Sequence, residues 1–240
     1  MTLPFRDRYD AGQQLAAKLK SEVGSRDALV LALPRGGVPI GYEIAEALGV
    51  PLDVFLVRKL GVPGHEELAM GAIAMGGLRV LNDDLARELA IPAATVDAVE
   101  ARERQEMARR ERLYRGNRPT PNLRGKTVIL VDDGLATGST MVAAARAVRQ
   151  LRPARVVAAV PVASADVCAG MRQLVDEMIC LETPEPFAAV GLWYEDFSPT
   201  SDEEVQELLR RAQGQAARKE SSDRVDRDDE AASHPDRNAA

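Results

Sequence analysis

The chain has 240 residues, enough for one substantial domain or two small ones, with 45% hydrophobic and 28% charged residues, the make-up of an ordinary soluble globular protein. A net charge of −6 argues against a non-specific nucleic-acid binder, which needs a surplus of Lys and Arg. Two cysteines, Cys168 and Cys180, are too few for a disulfide framework and predict a reducing, cytoplasmic setting; no apolar run approaches the roughly 18 residues of a membrane span.

From the N-terminus, Asp10 with Gln13 has the pattern of a capping box, and Leu15, Leu19 and Val23 then recur on one helical face. The run ALVLAL (28–33) predicts a buried strand ending at a tight PRGG loop. Ile40, Ile44, Ala47 and Leu48 predict a helix stopped by Gly49, with Pro51 beyond it. LDVFLVRK (52–59) predicts the second strand, with Arg58 and Lys59 at its end. The next stretch, LGVPGHEELAMGA (60–72), has the glycines and proline of a mobile loop, and His65 fits a loop residue better than a general acid. GAIAMGGLRVLN (71–82) predicts two extended pieces around Gly76 and Gly77.

Residues 97–118 predict a helix with seven arginines against five acids. It is either an exposed helix laced with ion pairs or one that helps hold an anionic substrate. TVILV (127–131) and ARVVAAVPV (154–162) predict further buried strands, separated by a helix carrying Met141, Ala144, Ala145, Val148 and Leu151. PEPFAAVGLWYEDF (184–197) gathers the single Trp and one of four Tyr, which suits either a stacking platform for a flat base or a small satellite hydrophobic cluster. Ser201 with Glu204 caps a last helix bearing Val205, Leu208 and Leu209. Strands alternating with helices predict an α/β fold: a central parallel sheet with helices on both faces, in one domain over 1–212. Residues 213–240, including His234, have almost nothing to build a core with, so a disordered charged tail is expected, removable after Arg211 without harm.

The stretch with the most chemistry is VILVDDGLATGSTM (128–141). In an open parallel sheet, ligands gather at the carboxyl ends of the strands, where Asp132 and Asp133 should sit. The loop after them opens a helix, so unpaired backbone N–H groups and the positive end of the helix dipole face the same crevice. Thr137, Ser139 and Thr140 add hydroxyl donors, while Gly134 and Gly138 let the backbone approach closely. The loop suits a phosphate, and the carboxylates suit hydroxyl donors or a metal-bound water. A sugar phosphate with a vicinal diol satisfies both. A purely structural acid pair is the poorer reading, because two adjacent buried carboxylates without a ligand are costly.

This stretch resembles the signature of the type I phosphoribosyltransferases, which bind 5-phosphoribosyl 1-diphosphate. The resemblance runs over about residues 8–212 and implies that family's fold, with a small hood near 183–198. It implies that Asp132 and Asp133 hold the ribose hydroxyls and contact Mg²⁺ directly or through water. The loop of Gly134, Leu135, Ala136, Thr137, Gly138, Ser139 and Thr140 would cradle the 5-phosphate. Arg35, Gly36 and Gly37, in a loop similar to that of xanthine-guanine enzymes, would contact the diphosphate. Arg58 and Lys59 would meet the departing diphosphate, the alternative being a solvated pair at a strand end. Residues 60–72 lie where the family has its mobile lid, and Trp193 and Tyr194 lie where hypoxanthine-type enzymes cover the base.

Two departures stand out. Gly134 replaces the apolar residue usual after the acid pair, and Ala136 stands where hypoxanthine-type enzymes carry a proton-transferring acid. The implied reaction is phosphoribosyl transfer to a nitrogenous, nucleobase-like acceptor, with no membrane or nucleic-acid partner and with room for a homodimer. The alternative is a non-catalytic sensor of phosphoribosyl diphosphate, with the arginine-rich helix as its one candidate for nucleic-acid contact.

Overall fold

The computed structural model describes residues 5–23 and 27–215. Its centre is a five-stranded, all-parallel sheet in the order β2-β1-β6-β7-β8, formed by β1 (Ala28–Ala32), β2 (Leu52–Val54), β6 (Thr127–Val131), β7 (Arg155–Val162) and β8 (Glu177–Glu182). The registers place Ala28 beside Thr127 and Ala32 beside Val131. β1 buries all five residues and β7 seven of eight, as strands covered on both faces must. The chain steps outward from β1 to β2, then returns to lay β6 on the other side of β1. The connections therefore reverse direction between β1 and β6, and a crevice opens at their carboxyl ends.

Helices α1 (Arg8–Glu22) and α2 (Gly37–Leu48) pack on each other and on the sheet. They approach closely because Gly12 has no side chain: a Cβ there would stand 3.0 Å from the Ile40 Cα. Asp7, and not Asp10, caps α1: its carboxylate accepts the Asp10 amide at 2.8 Å. Asp10 instead lies in the first turn, where a negative charge meets the positive helix end. Gly49, at φ 63°, ends α2. Helix α5 (Ser139–Gln150) contacts β6 and β7, and α6 (Ala165–Met171) contacts β8.

The structure corrects the expectation for residues 52–72. The apolar run from Leu52 is not one strand. β2 stops at Val54, and after Phe55 and Leu56 the chain enters a second sheet of β3 (Val57–Val62), β4 (His65–Ala74) and β5 (Leu78–Leu81). Both of its pairings are antiparallel. Most of the expected mobile loop is therefore an antiparallel ribbon, with a tight turn at Pro63 and Gly64, and the hairpin foreseen at Gly76 and Gly77 joins β4 to β5. Gly76 and Gly77 both take positive φ, 80° and 78°, which a two-glycine turn accepts without strain.

The ribbon rests on α5 and on α4 (Ala93–Arg115), which follows the short α3 (Asp83–Glu88). The arginine-rich segment is thus a helix laced with ion pairs. Arg102, Arg104, Arg109, Arg110, Arg115 and Arg118 all pair with carboxylates. It is not wholly exposed, because Glu100, Glu103 and Arg115 are buried.

The last helix, α7, spans 202–215 and is capped by Ser201, whose hydroxyl accepts the Glu204 amide at 3.0 Å. Val205, Leu208 and Leu209 are buried as expected. The proposed boundary after Arg211 falls inside this helix: Ala212 is buried, and Gln215 donates to the Tyr42 hydroxyl at 3.2 Å and to Glu46 at 3.1 Å. The rest of the expected tail, with His234, lies outside the described residues. Among the described residues, no helix is long and apolar enough to cross a membrane.

Candidate functional site

Two strand ends build the crevice. The Leu33 amide donates to the Val131 carbonyl at 2.8 Å, so the loops leaving β1 and β6 start side by side. From β1 the chain runs through Pro34 and Arg35, joined by a cis peptide, to Gly36 and the start of α2. From β6 it runs through Asp132 and Asp133 to the loop 134–138 and the start of α5. Two helix N-termini therefore meet at one crevice, but in α2 the Gly37 and Val38 amides donate to the Leu33 and Arg35 carbonyls, both at 3.1 Å, and Pro39 has no N–H, so the start of α5 is the better anion site.

The glycines of both loops are required by contact. A Cβ on Gly36 would lie 1.9 Å from Asp133 Oδ2, and one on Gly37 would lie 2.6 Å from the Val131 carbonyl oxygen. Gly138 adopts a left-handed φ of 71° as the residue before α5. Gly134 answers the departure seen in the sequence. Val190 fills the space, and a Cβ on Gly134 would stand 2.5 Å from its Cγ1.

In the loop itself, Leu135 turns into the core, its amide held by the Val162 carbonyl at 2.9 Å, and Gly138 is buried beneath the surface. Ala136, Thr137, Ser139 and Thr140 stay exposed, and the Thr137 and Ser139 hydroxyls lie 2.9 Å apart. Across from them, Lys59 of β3 lines the same cleft of about 600 Å³, together with Val57, Val80 and Arg146. The structure thus brings Lys59 together with the loop hydroxyls. Arg58 has a different situation: its guanidinium binds Glu103 of α4, with Nη2 2.6 Å from Oε2 and Nε donating at 2.8 Å. Arg35 is about half exposed and lies 3.8 Å from the Asp202 carboxylate.

The acid pair is half-buried. Burial, and then the charge of Asp133, hold the Asp132 carboxyl well above the usual carboxylate range. Burial also raises Asp133, against the pull of the neighbouring Arg8. An arrangement that resists carrying two charges gains from hydroxyl donors or a cation. Asp132 accepts the Asp133 amide at 2.9 Å. Asp133 is gripped by Arg8 of α1, whose Nε donates to Oδ2 at 2.9 Å and whose Nη2 lies 2.8 Å from it.

Arg8 was not foreseen in the sequence. Its partner lies 125 positions away, and nothing local to FRDRYD signals it.

The aromatic segment resolves into the satellite cluster. Tyr194 is buried with Phe5 and Ala11, its ring centroid 5.5 Å from that of Phe5 and 5.0 Å from that of Phe197. Its hydroxyl donates to the Asp133 carbonyl at 2.6 Å. Tyr194 therefore has no ring face to offer a base and instead supports the acid loop from below, a correction to its expected stacking role. Trp193, in a 3-10 turn over Val190–Trp193, is half-buried at the edge of the cluster. Phe5 fastens this segment: its amide donates to the Trp193 carbonyl, and the Glu195 amide donates back to Phe5, both at 2.7 Å.

Residues 63–190 match the phosphoribosyl transferase domain family. Two Mycobacterium tuberculosis proteins, from strains CDC 1551 / Oshkosh and H37Rv, carry provisional phosphoribosyl transferase names and are each 47% identical over 208 residues, 87% of this chain. The chain spans about half their length, 47%. The crystal structure of TT1426 from Thermus thermophilus superposes with a TM-score of 0.79 at 43% identity, covering 86% of this chain and 98% of that one. On its family match and on these relatives, the chain belongs to the phosphoribosyl transferase domain family.

Proposed function

We propose that this chain is an enzyme that moves the phosphoribosyl group of 5-phosphoribosyl 1-diphosphate to a nitrogenous acceptor, a nucleobase or a close chemical relative, and releases diphosphate. The observation that carries the reading is the meeting of two loops at the β1/β6 crevice. One brings an acid pair and a hydroxyl-rich helix start, the other an Arg-Gly-Gly turn. A vicinal diol on the acids places its 5-phosphate at Ala136–Thr140 and its diphosphate towards Arg35–Gly37 and Lys59.

In the reaction a nitrogen lone pair forms a bond to the anomeric carbon as the bond from that carbon to the diphosphate oxygen breaks. Positive charge grows on the ring and negative charge on the leaving group. Arg35 and Lys59 favour the second, and the carboxylates favour the first. Arg58 would have to leave Glu103 to take part. Ala136 offers no proton acceptor, so an acceptor that reacts as its anion, or gives its proton to water, suits the site.

Asp132 and Asp133 fit Mg²⁺ that enters with the substrate. Among the described residues no group of three or more possible ligand side chains gathers, and Mg²⁺ is commonly held by one or two carboxylates together with substrate phosphates. When bound, the ion draws charge from the departing diphosphate.

The test is a diphosphate-release screen with Mg²⁺ against a panel of nucleobases, with release from at least one expected. Tight substrate binding with no release from any acceptor would favour the sensor. That reading has less support, because six of the seven arginines it would use are paired within the chain.

A further inference from the structure

We infer that Arg8 is a positioning residue that divides the labour within the acid pair. It pins one oxygen of Asp133 and so leaves the other, together with Asp132, to face the ligand. This rests on the proposed binding of phosphoribosyl diphosphate.

Both guanidinium contacts fall on one oxygen, Oδ2, at 2.9 and 2.8 Å. The same oxygen lies against the Gly36 backbone, 1.9 Å from where a Cβ would stand, whereas Oδ1 lies 3.2 Å from that point. Oδ2 is thus enclosed between Arg8 and the diphosphate-side loop. Oδ1 is the Asp133 oxygen left for a ribose hydroxyl.

Arg8 is itself held on two further sides. Nη1 donates to the Ser198 carbonyl at 2.7 Å, and the guanidinium carbon sits 4.0 Å from the centre of the Phe197 ring. Arg8 is buried, so this geometry is fixed by packing and is not sampled from a mobile surface chain. A planar fork with separate donors can grip a carboxylate, a carbonyl and a ring face together; an ammonium cannot. Ser198 and Phe197 belong to the segment that packs on the acid loop, where Val190 fills the space at Gly134 and Tyr194 holds the Asp133 carbonyl. The Asp133 carboxylate is therefore oriented by Arg8 of α1, which the 197–198 segment holds in place, while Tyr194 holds the Asp133 backbone.

A double-mutant cycle read by calorimetric titration of 5-phosphoribosyl 1-diphosphate with Mg²⁺ tests this, using the full chain as wild type, Arg8→Gln, Asp133→Ala and the double variant. Arg8→Gln should weaken binding by about fivefold to fiftyfold in the wild-type background and by less than about threefold where Asp133 is already Ala, because Arg8 acts through that carboxylate. A merely structural role would lower the melting temperature and cost the same affinity in both backgrounds. Should Arg8→Gln not fold, Arg8→Lys goes through the same cycle, since it keeps the cation but loses the fork. Additive losses, or full affinity in the folded Arg8 variant, would overturn the inference while leaving the functional reading intact. Absence of binding by the wild type would remove both.

Discussion

β1 buries all five of its residues and β7 seven of eight, whereas β3 of the ribbon buries two of six. The two sheets share one apolar core, into which the ribbon sends Leu60, Met70 and Ile73, but the ribbon adds charged attachments that the parallel sheet lacks at its centre. In the parallel sheet, branched apolar side chains are closed in on both faces, each worth about 1.5–3 kcal/mol relative to exposure. The ribbon is tied to α4 by arginine–carboxylate pairs, Arg58 with Glu103 and Arg79 with Glu100 at 2.9 Å, and Arg104 of α4 donates to the Gly77 carbonyl at 3.4 Å. Behind them, Arg115 fixes the end of α4 to Asp53 of β2, donating from Nε and Nη2 at about 3.0 Å. The difference divides the crevice into two kinds of wall. The loops of β1 and β6 stand on an apolar platform, while Lys59 is carried by a strand whose attachment is partly polar.

The largest way to break that picture is at Asp53. The Arg115 side chain is only 1% exposed, so Asp53→Ala strands a buried cation. Loss of one partner of a buried pair costs about 3–5 kcal/mol, and the lower end is expected because Glu111 and the Pro119 carbonyl still contact Arg115. Denaturant melts would measure it. A loss below about 1 kcal/mol would mean that apolar contacts alone hold α4.

A smaller effect concerns Arg58. If its work is to hold the ribbon, Arg58→Ala and Glu103→Gln should each cost about 1–2 kcal/mol, and the double variant little more than either. Phosphoribosyl diphosphate affinity should then stay close to that of the wild type. A large loss of affinity in Arg58→Ala alone would return Arg58 to the diphosphate site.

The same division decided what could be read from the sequence. The β6–loop–α5 unit was legible because its determinants lie within Thr127–Met141: an apolar run, two acids, glycines and hydroxyls before a helical pattern. The helix stop at Gly49 and the hairpin at Gly76 and Gly77 were legible for the same reason. The split of Leu52–Lys59 between two sheets was not, because the apolar run Val54–Val57 continues across the break and periodicity does not reveal a change of partner strand. The ribbon was hidden behind glycines that suit a loop, although in a strand Gly71 serves close packing: a Cβ there would lie 2.7 Å from the Val80 carbonyl oxygen. Arg8 and Tyr194 reach Asp133 from 125 and 61 positions away, and only the fold brings them there.

The smallest expected effect is that of salt. The Arg58 and Arg79 side chains are 31% and 41% exposed, and pairs of that kind are screened. Raising salt to about 0.5 M should speed amide exchange in β3 and β4 by roughly twofold to fivefold and leave β1, β6 and β7 unchanged. Equal acceleration in both sheets would erase the distinction between the two walls.

The central claim, that the β1/β6 crevice holds 5-phosphoribosyl 1-diphosphate by its acid pair, is tested most directly by calorimetric titration of that compound with Mg²⁺ into the wild type and Asp132→Asn. The wild type should bind. The variant should melt at the same temperature or slightly higher, because the repulsion between two half-buried acids is relieved, and should bind on the order of tenfold to a hundredfold more weakly. Wild-type protein that takes up no ligand, or an Asp132→Asn variant that binds as tightly as the wild type, would contradict the account.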